Sequence, residues 1–201
     1  MIGGGSAFQP GFLSRGFRYG PHPFPTELAL LITLSPLADA DPDAVERLLD
    51  AAFGADRHAR TAYRIREGMA PIAELSLAAF EEERLVGSLQ SWPIALHGPQ
   101  AETPLILVGP VAVDPERQQQ GIGRMMMAEM LAQAEGREPL VLIGDPEYYG
   151  RHFGFIADAS ANWELPGPFE RRRLLARTGG RDLPYRGTLG PRSETKGGLL
   201  R

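Results

Sequence analysis

The amino-acid sequence predicts a mixed α/β fold (α+β in arrangement), with a central sheet of about six or seven strands flanked by helices. Two observations predict it. Short runs of aliphatic and β-branched residues, typical of strands, come first along the chain, and strands then alternate with helical segments. The chain has 201 residues, of which 43% are hydrophobic and 23% charged. This length and composition suit one hydrophobic core and are short for two.

The first half of the predicted domain contains a strand, two helices and a hairpin. The apolar residues 28–34 predict the first strand. Turn residues and a capping residue follow, and they introduce a helix over residues 44–52. Residues 57–67 are expected to form a second, short helix. Residues 73–80 and 84–96 are expected to pair as a hairpin around an acidic turn.

The second half alternates strands with helices, which is typical of a mixed sheet. Its predicted elements are a kinked strand over 105–113, a helix over 121–136, a strand over 140–143, a short helix over 145–151, and strands near 153–157 and 172–176.

The domain is expected to run from residue 28 to residue 177. Residues 1–27 are rich in Gly and Pro and lack the apolar core of a secretory signal, so they predict a flexible extension. Residues 178–201 predict a flexible, basic tail. No run approaches the roughly 20 apolar residues of a membrane span. We therefore expect a cytoplasmic protein that contacts neither membranes nor nucleic acid.

Metal and thiol chemistry are not expected. The sequence contains no cysteine, which excludes disulfides, thiolate metal ligands and a cysteine nucleophile. The four histidines are scattered along the chain without the spacing of metal ligands. The sequence therefore predicts no metal site.

One segment, residues 105–130, indicates a chemistry. Gly109 and Pro110 interrupt its apolar strand, and because Pro cannot donate to a ladder and Gly often marks a bulge, the strand should kink or part from a neighbour there. Gly121 and Gly123 then open a helix. Glycine lets backbone come close to a ligand, and the first amides of a helix favour negative charge. The segment therefore predicts a diphosphate site.

Several nucleotide-binding motifs share this logic, and their spacing separates them. A dinucleotide fingerprint needs a third Gly at the position of Met126. A P-loop needs Gly-Lys followed by Ser or Thr, and the only lysine is Lys196. The segment, with Gln118, Gly121 and Gly123 after VAVDPER and before an amphipathic helix, instead resembles the central motif of the GNAT superfamily of N-acetyltransferases.

The order of the predicted elements also resembles the GNAT fold. In that family the sheet splays apart after a bulge in the central strand, and acetyl-CoA lies in the gap as co-substrate. The resemblance implies that the strand backbone pairs with the pantetheine arm and that the glycine turn holds the diphosphate, with added charge from Arg117 and Arg124. The implied cofactor-binding residues are Val111, Ala112, Val113, Gln118, Gln119, Gln120, Gly121, Ile122, Gly123 and Arg124.

A second segment, GDPEYYGRHFGF at residues 144–155, is similar to the part of GNAT enzymes that supplies a tyrosine, whose hydroxyl protonates the leaving thiolate. The match to the family's spacing before Gly-Phe needs one extra residue, so Tyr149 is the predicted acid and Tyr148 the alternative. A structural tyrosine that covers the cofactor is the other interpretation. Glu74 is the candidate base, or simply a solvated carboxylate. Residues 163–169 are expected to shape the acceptor pocket.

The resemblance implies direct transfer of an acyl group from a CoA thioester to a primary amine of a small molecule or a protein. The alternative is a non-catalytic GNAT-like module that binds CoA as a sensor or interaction domain. The sequence does not identify the acceptor, and its apolar late strands are compatible with a homodimer.

Overall fold

The computed structural model describes residues 32–193, which form one sheet with helices packed on it. The strands are β1 (Ile32–Pro36), β2 (Leu77–Glu81), β3 (Arg84–His97), β4 (Glu102–Val113), β5 (Leu140–Ile143), β6 (Trp163–Glu164), β7 (Leu174–Arg177) and β8 (Gly187–Pro191). The α-helices are α1 (Pro42–Phe53), α2 (Thr61–Ile65), α3 (Ile122–Gln133) and α4 (Pro146–Phe153). No helix within residues 32–193 is long and apolar enough to cross a membrane.

The sheet is mostly antiparallel and open. Its main path is β1-β2-β3-β4-β5-β7, while β8 pairs with the far part of β3 and β6 pairs with β8. Among the strands of residues 32–193, only the pairs β4–β5 and β6–β8 are parallel. The predicted mixed fold is confirmed, with eight strands in the described part of the chain rather than six or seven.

Local chemistry explains the boundaries of the first elements. Asp41 caps α1 because its carboxylate accepts the backbone N–H of Asp43 at 3.1 Å, and Pro42 suits the first helical position. The predicted hairpin is confirmed: β2 and β3 pair antiparallel, closing between Glu81 and Arg84.

Two predicted elements near the middle and end of the domain are wrong. Residues 57–67 contain a 3-10 turn followed by the short α2 rather than one helix. Residues 153–157 do not form a strand, because α4 continues to Phe153 and Gly154, with φ of 70°, ends it. Only Ile156 makes an isolated bridge, to Ala176.

The predicted flexible tail also begins too early. Residues 187–191 form β8, whose Leu189 is 1% exposed and packs in a cluster with Leu96 and Trp163. This short strand joins the sheet because burial of its apolar side chain and its ladder hydrogen bonds outweigh the basic, Gly-rich character of its surroundings. The predicted extension 1–27, the start of the first predicted strand at 28–31 and residues 194–201 lie outside the described residues.

Helices cover both faces of the sheet. On one face α3 buries Ile122, Met126 and Met130 against the strands. The helix comes close enough that a Cβ added at Gly87 in β3 would lie 2.9 Å from Met126 Cε. On the other face α1 packs through Leu49 and its neighbours in a cluster that includes Ala112 of β4. The side chain of Ala112 therefore lies in the core, between β4 and α1.

The sheet splits between β4 and β5, as the sequence predicts. Gly109 and Pro110, joined by a cis peptide bond, stand opposite a shift of register between β3 and β4. The parallel pairing of β4 with β5 covers only Ile106 and Leu107. Beyond that point the two strands diverge, and the gap between them contains the candidate site.

Candidate functional site

Two adjoining cavities open where β4 and β5 diverge. The larger has a volume of about 500 Å³ and reaches the α2 segment and the loop before β7, and we call it the α2 cavity. The smaller, of about 230 Å³, reaches Gln118 and Gly123 at the start of α3, and we call it the α3 cavity. Phe53, Val111 and Tyr149 line both. The two cavities therefore meet at the end of α1, the bulge of β4 and the middle of α4.

The backbone of β4 beyond the bulge presents its polar groups to the gap. Asp114 donates its N–H to the carbonyl of Val86 in β3 at 2.9 Å. Because alternate residues of an antiparallel ladder face opposite edges, the backbone groups of Val111 and Val113 point away from β3. No strand within the described residues pairs with β4 there. An extended, amide-containing ligand would find hydrogen-bonding partners along this edge.

The loop before α3 forms the wall of the α3 cavity. Gln119 has φ of 66° and Gly121 φ of 85°, so left-handed residues turn the chain into the helix. Gly123 lies against β4, where an added Cβ would be 3.5 Å from Val113 Cγ2. Such turns and the first amides of a helix form a concave surface that favours anions. The loop therefore has the shape and polarity that suit an anionic group such as a diphosphate.

The remaining predicted cofactor residues differ in what they expose. Ala112 and Ile122 are 0% and 1% exposed, so their side chains lie in the core, and the backbone groups of Ala112 face Ser88 of β3 rather than the gap. The guanidinium of Arg117 is 2.8 Å from the Glu81 carboxylate, so this ion pair neutralises its charge. Burial raises the pKa of Tyr148, and the nearby charge of Arg124 partly offsets that rise. Gln120 completes the loop and is half-buried.

Tyr149 lies at the junction of the two cavities. Asp145 caps α4 by accepting the N–H groups of Glu147 and Tyr148, at 2.9 and 3.2 Å, which fixes the start of the helix. The ring of Tyr149 rests on Gly144, where an added Cβ would lie only 2.4 Å from Cε2. Burial raises the pKa of Tyr149 to about 12. The phenol is therefore fully protonated at neutral pH.

Tyr148 has a different environment from Tyr149. It lines only the α3 cavity, and 37% of its surface is exposed. Its ring meets that of Tyr149 edge to face, with centroids 5.1 Å apart. The structure thus brings both predicted tyrosines to the gap and places only Tyr149 between the two cavities.

Glu74 is not part of either cavity. Its side chain is 69% exposed, and its carboxylate lies 4.0 Å from the guanidinium of Arg137, beyond the C-terminal end of α3. The loop of residues 118–124, which we call the diphosphate loop after its expected ligand, lies at the opposite end of that helix. The prediction of Glu74 as the base is therefore wrong about its position.

The sequence analysis did not identify the arginines of the α2 cavity. Arg57 is 2% exposed and donates to Asp50 at 2.8 Å and to Glu46. Burial alone would lower the pKa of Arg57, but its hydrogen bonds to Glu46, Asp50 and Tyr63 raise it above the ordinary value. Arg66 is 6% exposed. The signal was present as an excess of arginine in the segment RHARTAYRIR.

The loop before β7 closes the far side of the α2 cavity. Pro168, Phe169 and Glu170 line it, and Thr61 Oγ1 donates to the Pro168 carbonyl at 2.6 Å. Asp145 and Glu170 are the carboxylates that line this cavity among the described residues. No group of three or more His, Asp or Glu side chains within residues 32–193 is placed to hold a metal ion.

Comparison with known proteins agrees with this geometry. The family profile described as "Acetyltransferase (GNAT) domain" matches residues 33–155. No curated protein matches the sequence. A GNAT family acetyltransferase from Brucella melitensis, solved in complex with acetyl-CoA, is 27% identical over 78% of this chain and 92% of that chain, with a TM-score of 0.54. The GNAT family N-acetyltransferase YhbS from Escherichia coli, solved in complex with CoA, is 25% identical over 75% and 81%, with a TM-score of 0.57.

Proposed function

Since this chain belongs to the GNAT family of acetyltransferases and has acetyl-CoA as its co-substrate, we propose that it transfers the acetyl group directly to a primary amine. The observation that carries the proposal is the position of Tyr149, between a cavity walled by the glycine loop and a second cavity of about 500 Å³. The α3 cavity fits the donor, and the α2 cavity is left for the acceptor.

Backbone groups provide most of the contacts to the donor, acetyl-CoA. The C=O of Val111 and the N–H and C=O of Val113 face the gap and pair with the amides of the pantetheine arm, and the loop from Gln118 to Arg124 holds the diphosphate. When bound, acetyl-CoA supplies the acetyl group as an activated thioester. The N–H of Val111 is placed to donate to the thioester oxygen as negative charge develops on it, an oxyanion-type contact.

Tyr149 provides the proton for the leaving sulfur. The amine nitrogen forms a bond to the acetyl carbon as the carbon–sulfur bond breaks, and the Tyr149 hydroxyl gives its proton to the sulfur. A phenol with a pKa of about 12 is a weaker acid than a free thiol of about 8.5. The same apolar surroundings raise the pKa of a thiol, because burial disfavours both anions. Burial therefore shifts the pKa values of acid and leaving group in the same direction, so that their difference need not widen in the site.

The acceptor must lose a proton before or during attack. An amine with a pKa of about 10.4 is neutral in roughly one molecule in 2,500 at pH 7, which corresponds to about 4.6 kcal/mol. Glu170 is the better placed carboxylate for this role, directly or through water, because Asp145 already caps α4. The chain has no cysteine, so a thiol-linked acyl-enzyme is excluded and direct transfer is favoured.

Calorimetric titration with acetyl-CoA, followed by a thiol-release screen over primary amines, tests the proposal. We expect saturable binding and CoA release that depends on the added amine. Absence of acetyl-CoA binding would contradict the proposed site. Binding without turnover on any amine would instead support a CoA-binding sensor or interaction module.

A further inference from the structure

Arg66 is a buried cation in the wall of the α2 cavity. It is 6% exposed, and its guanidinium carbon lies 4.2 Å from the ring centre of Tyr63 and 4.1 Å from that of Trp92. One terminal nitrogen, Nη1, donates to the carbonyl of Gly109 at 3.2 Å. The two rings and the bulge of β4 therefore fix the position of this charge next to the place where the acetyl group is transferred.

The charge of Arg66 lacks the partners that its neighbour has. Arg57 forms ion pairs with both Glu46 and Asp50. Among residues 32–193, the carboxylates nearby form their ion pairs with Arg57 and none forms one with Arg66. Burial lowers the pKa of Arg66 to about 10, and interactions with Tyr63 and Glu46 offset only part of that shift. It still carries its charge at neutral pH. A buried charge is costly unless paired, and contacts with two aromatic rings offset only part of that cost.

The contacts of Arg66 leave part of its guanidinium for a partner in the α2 cavity, which it lines. Contacts with rings cover the guanidinium face, and hydrogen bonding to Gly109 leaves further N–H donors in its plane. A carboxylate accepts two such bonds side by side, in that plane. The charged side chains lining the α2 cavity are Arg57, Arg60, Arg66 and Arg173 against Asp145 and Glu170, which also favours an anion.

We propose that the acceptor is a small amine that also carries a carboxylate, and that Arg66 binds this carboxylate while the amine faces the bulge of β4. This inference rests on the proposed function and adds the substrate class to it. Arg66 lines the α2 cavity and not the α3 cavity that contains the diphosphate loop, so its anion is the acceptor's and not the donor's.

Matched pairs of acceptors test the inference. Each standard L-amino acid is assayed beside its α-amide in the thiol-release assay, after calorimetry has established acetyl-CoA binding. The best carboxylate is expected to exceed its amide at least ~10-fold in kcat/KM, the usual size of a charge-assisted pair. In a second, activity-independent readout, N-acetyl-L-amino acids, and not their amides, should raise Tm in the presence of CoA.

Variants test whether Arg66 causes the preference for a carboxylate over its amide. In Arg66→Met the ratio of carboxylate to amide should fall towards one, with acetyl-CoA affinity unchanged, and Arg66→Lys should keep part of the preference. Arg47→Met, which removes a charge that is 70% exposed on α1, should change nothing. If Arg66→Met does not fold, the wild-type ratio and Arg66→Lys decide.

Different results would overturn the carboxylate-binding role of Arg66 and the proposed acetyltransferase function. Turnover of neutral amines without a preference for carboxylates would overturn the inference and leave the acetyltransferase intact. An unchanged ratio in Arg66→Met, a weaker affinity of that variant for acetyl-CoA, or no response to any carboxylate would also overturn it. Failure of acetyl-CoA to bind would remove the proposed function itself.

Discussion

Replacing Gly144 by alanine should slow catalysis by moving Tyr149. The added Cβ would lie 2.4 Å from Cε2 and 2.6 Å from Cδ2 of that ring, and 2.9 Å from Leu142 Cδ1. Favourable carbon contacts begin near 3.5 Å, so the ring must shift by about 1 Å. A displacement of that size typically costs about 100-fold in rate, or about 2.7 kcal/mol of transition-state stabilisation.

The assay is kcat by thiol release, with acetyl-CoA affinity from calorimetry and Tm from thermal unfolding. Overpacking should cost roughly 1–3 kcal/mol of stability and lower Tm by several degrees. The affinity should change little, since the diphosphate loop is untouched. The double variant Gly144→Ala/Tyr149→Phe should be no slower than Tyr149→Phe, because the hydroxyl that Gly144 positions is already gone. An equal loss in both backgrounds would refute the reasoning.

Three further predictions concern the diphosphate loop, the two tyrosines of α4 and the pH dependence of kcat. Gly121→Glu should weaken acetyl-CoA binding at least ~100-fold for two reasons. It places a negative charge at the diphosphate loop, and it forces a side chain into a left-handed conformation, which costs about 1–2 kcal/mol. Gly136→Glu is the matched control, because it introduces similar strain (φ 77°) and its Cβ lies in open space. Equal losses of acetyl-CoA affinity in the two variants would contradict the proposed diphosphate site. Tyr149→Phe should lower kcat at least ~100-fold with unchanged affinity, and Tyr148→Phe much less. Burial raises the pKa of Tyr149 to about 12, so loss of its proton should not lower wild-type kcat up to about pH 10. A fall in kcat below that pH that disappears in Tyr149→Phe would contradict the assignment of Tyr149 as the acid.

Local sequence predicted the donor side of the site because its geometry is encoded locally. The bulge at Gly109-Pro110 and the left-handed Gly121 follow from the conformations these residues allow, within a few positions of each other. Tyr149 was chosen by resemblance to the family's tyrosine before Gly-Phe, and the structure shows that it lies on a helix capped by the neighbouring Asp145.

The acceptor side depends on contacts between distant segments. Arg66 meets Trp92 only because α2 packs beside β3, and Thr61 meets Pro168 across 107 residues of sequence. Glu74 was assigned from its place at the start of a predicted strand, but residues 73–75 form a 3-10 turn and its carboxylate lies near Arg137. Nothing in the local pattern encodes either outcome.

The gap between β4 and β5 also bears on whether other chains can pair with this sheet. An unpaired strand edge in the middle of a sheet is a template on which another chain could add itself and begin to aggregate. Here the edge at Val111 and Val113 is recessed in a cavity bordered by Phe53, Gly123 and Tyr149. A narrow, walled slot admits a single slender chain and excludes the edge of another sheet. The helix ends around the gap thus protect the protein from its neighbours as well as shaping a binding site.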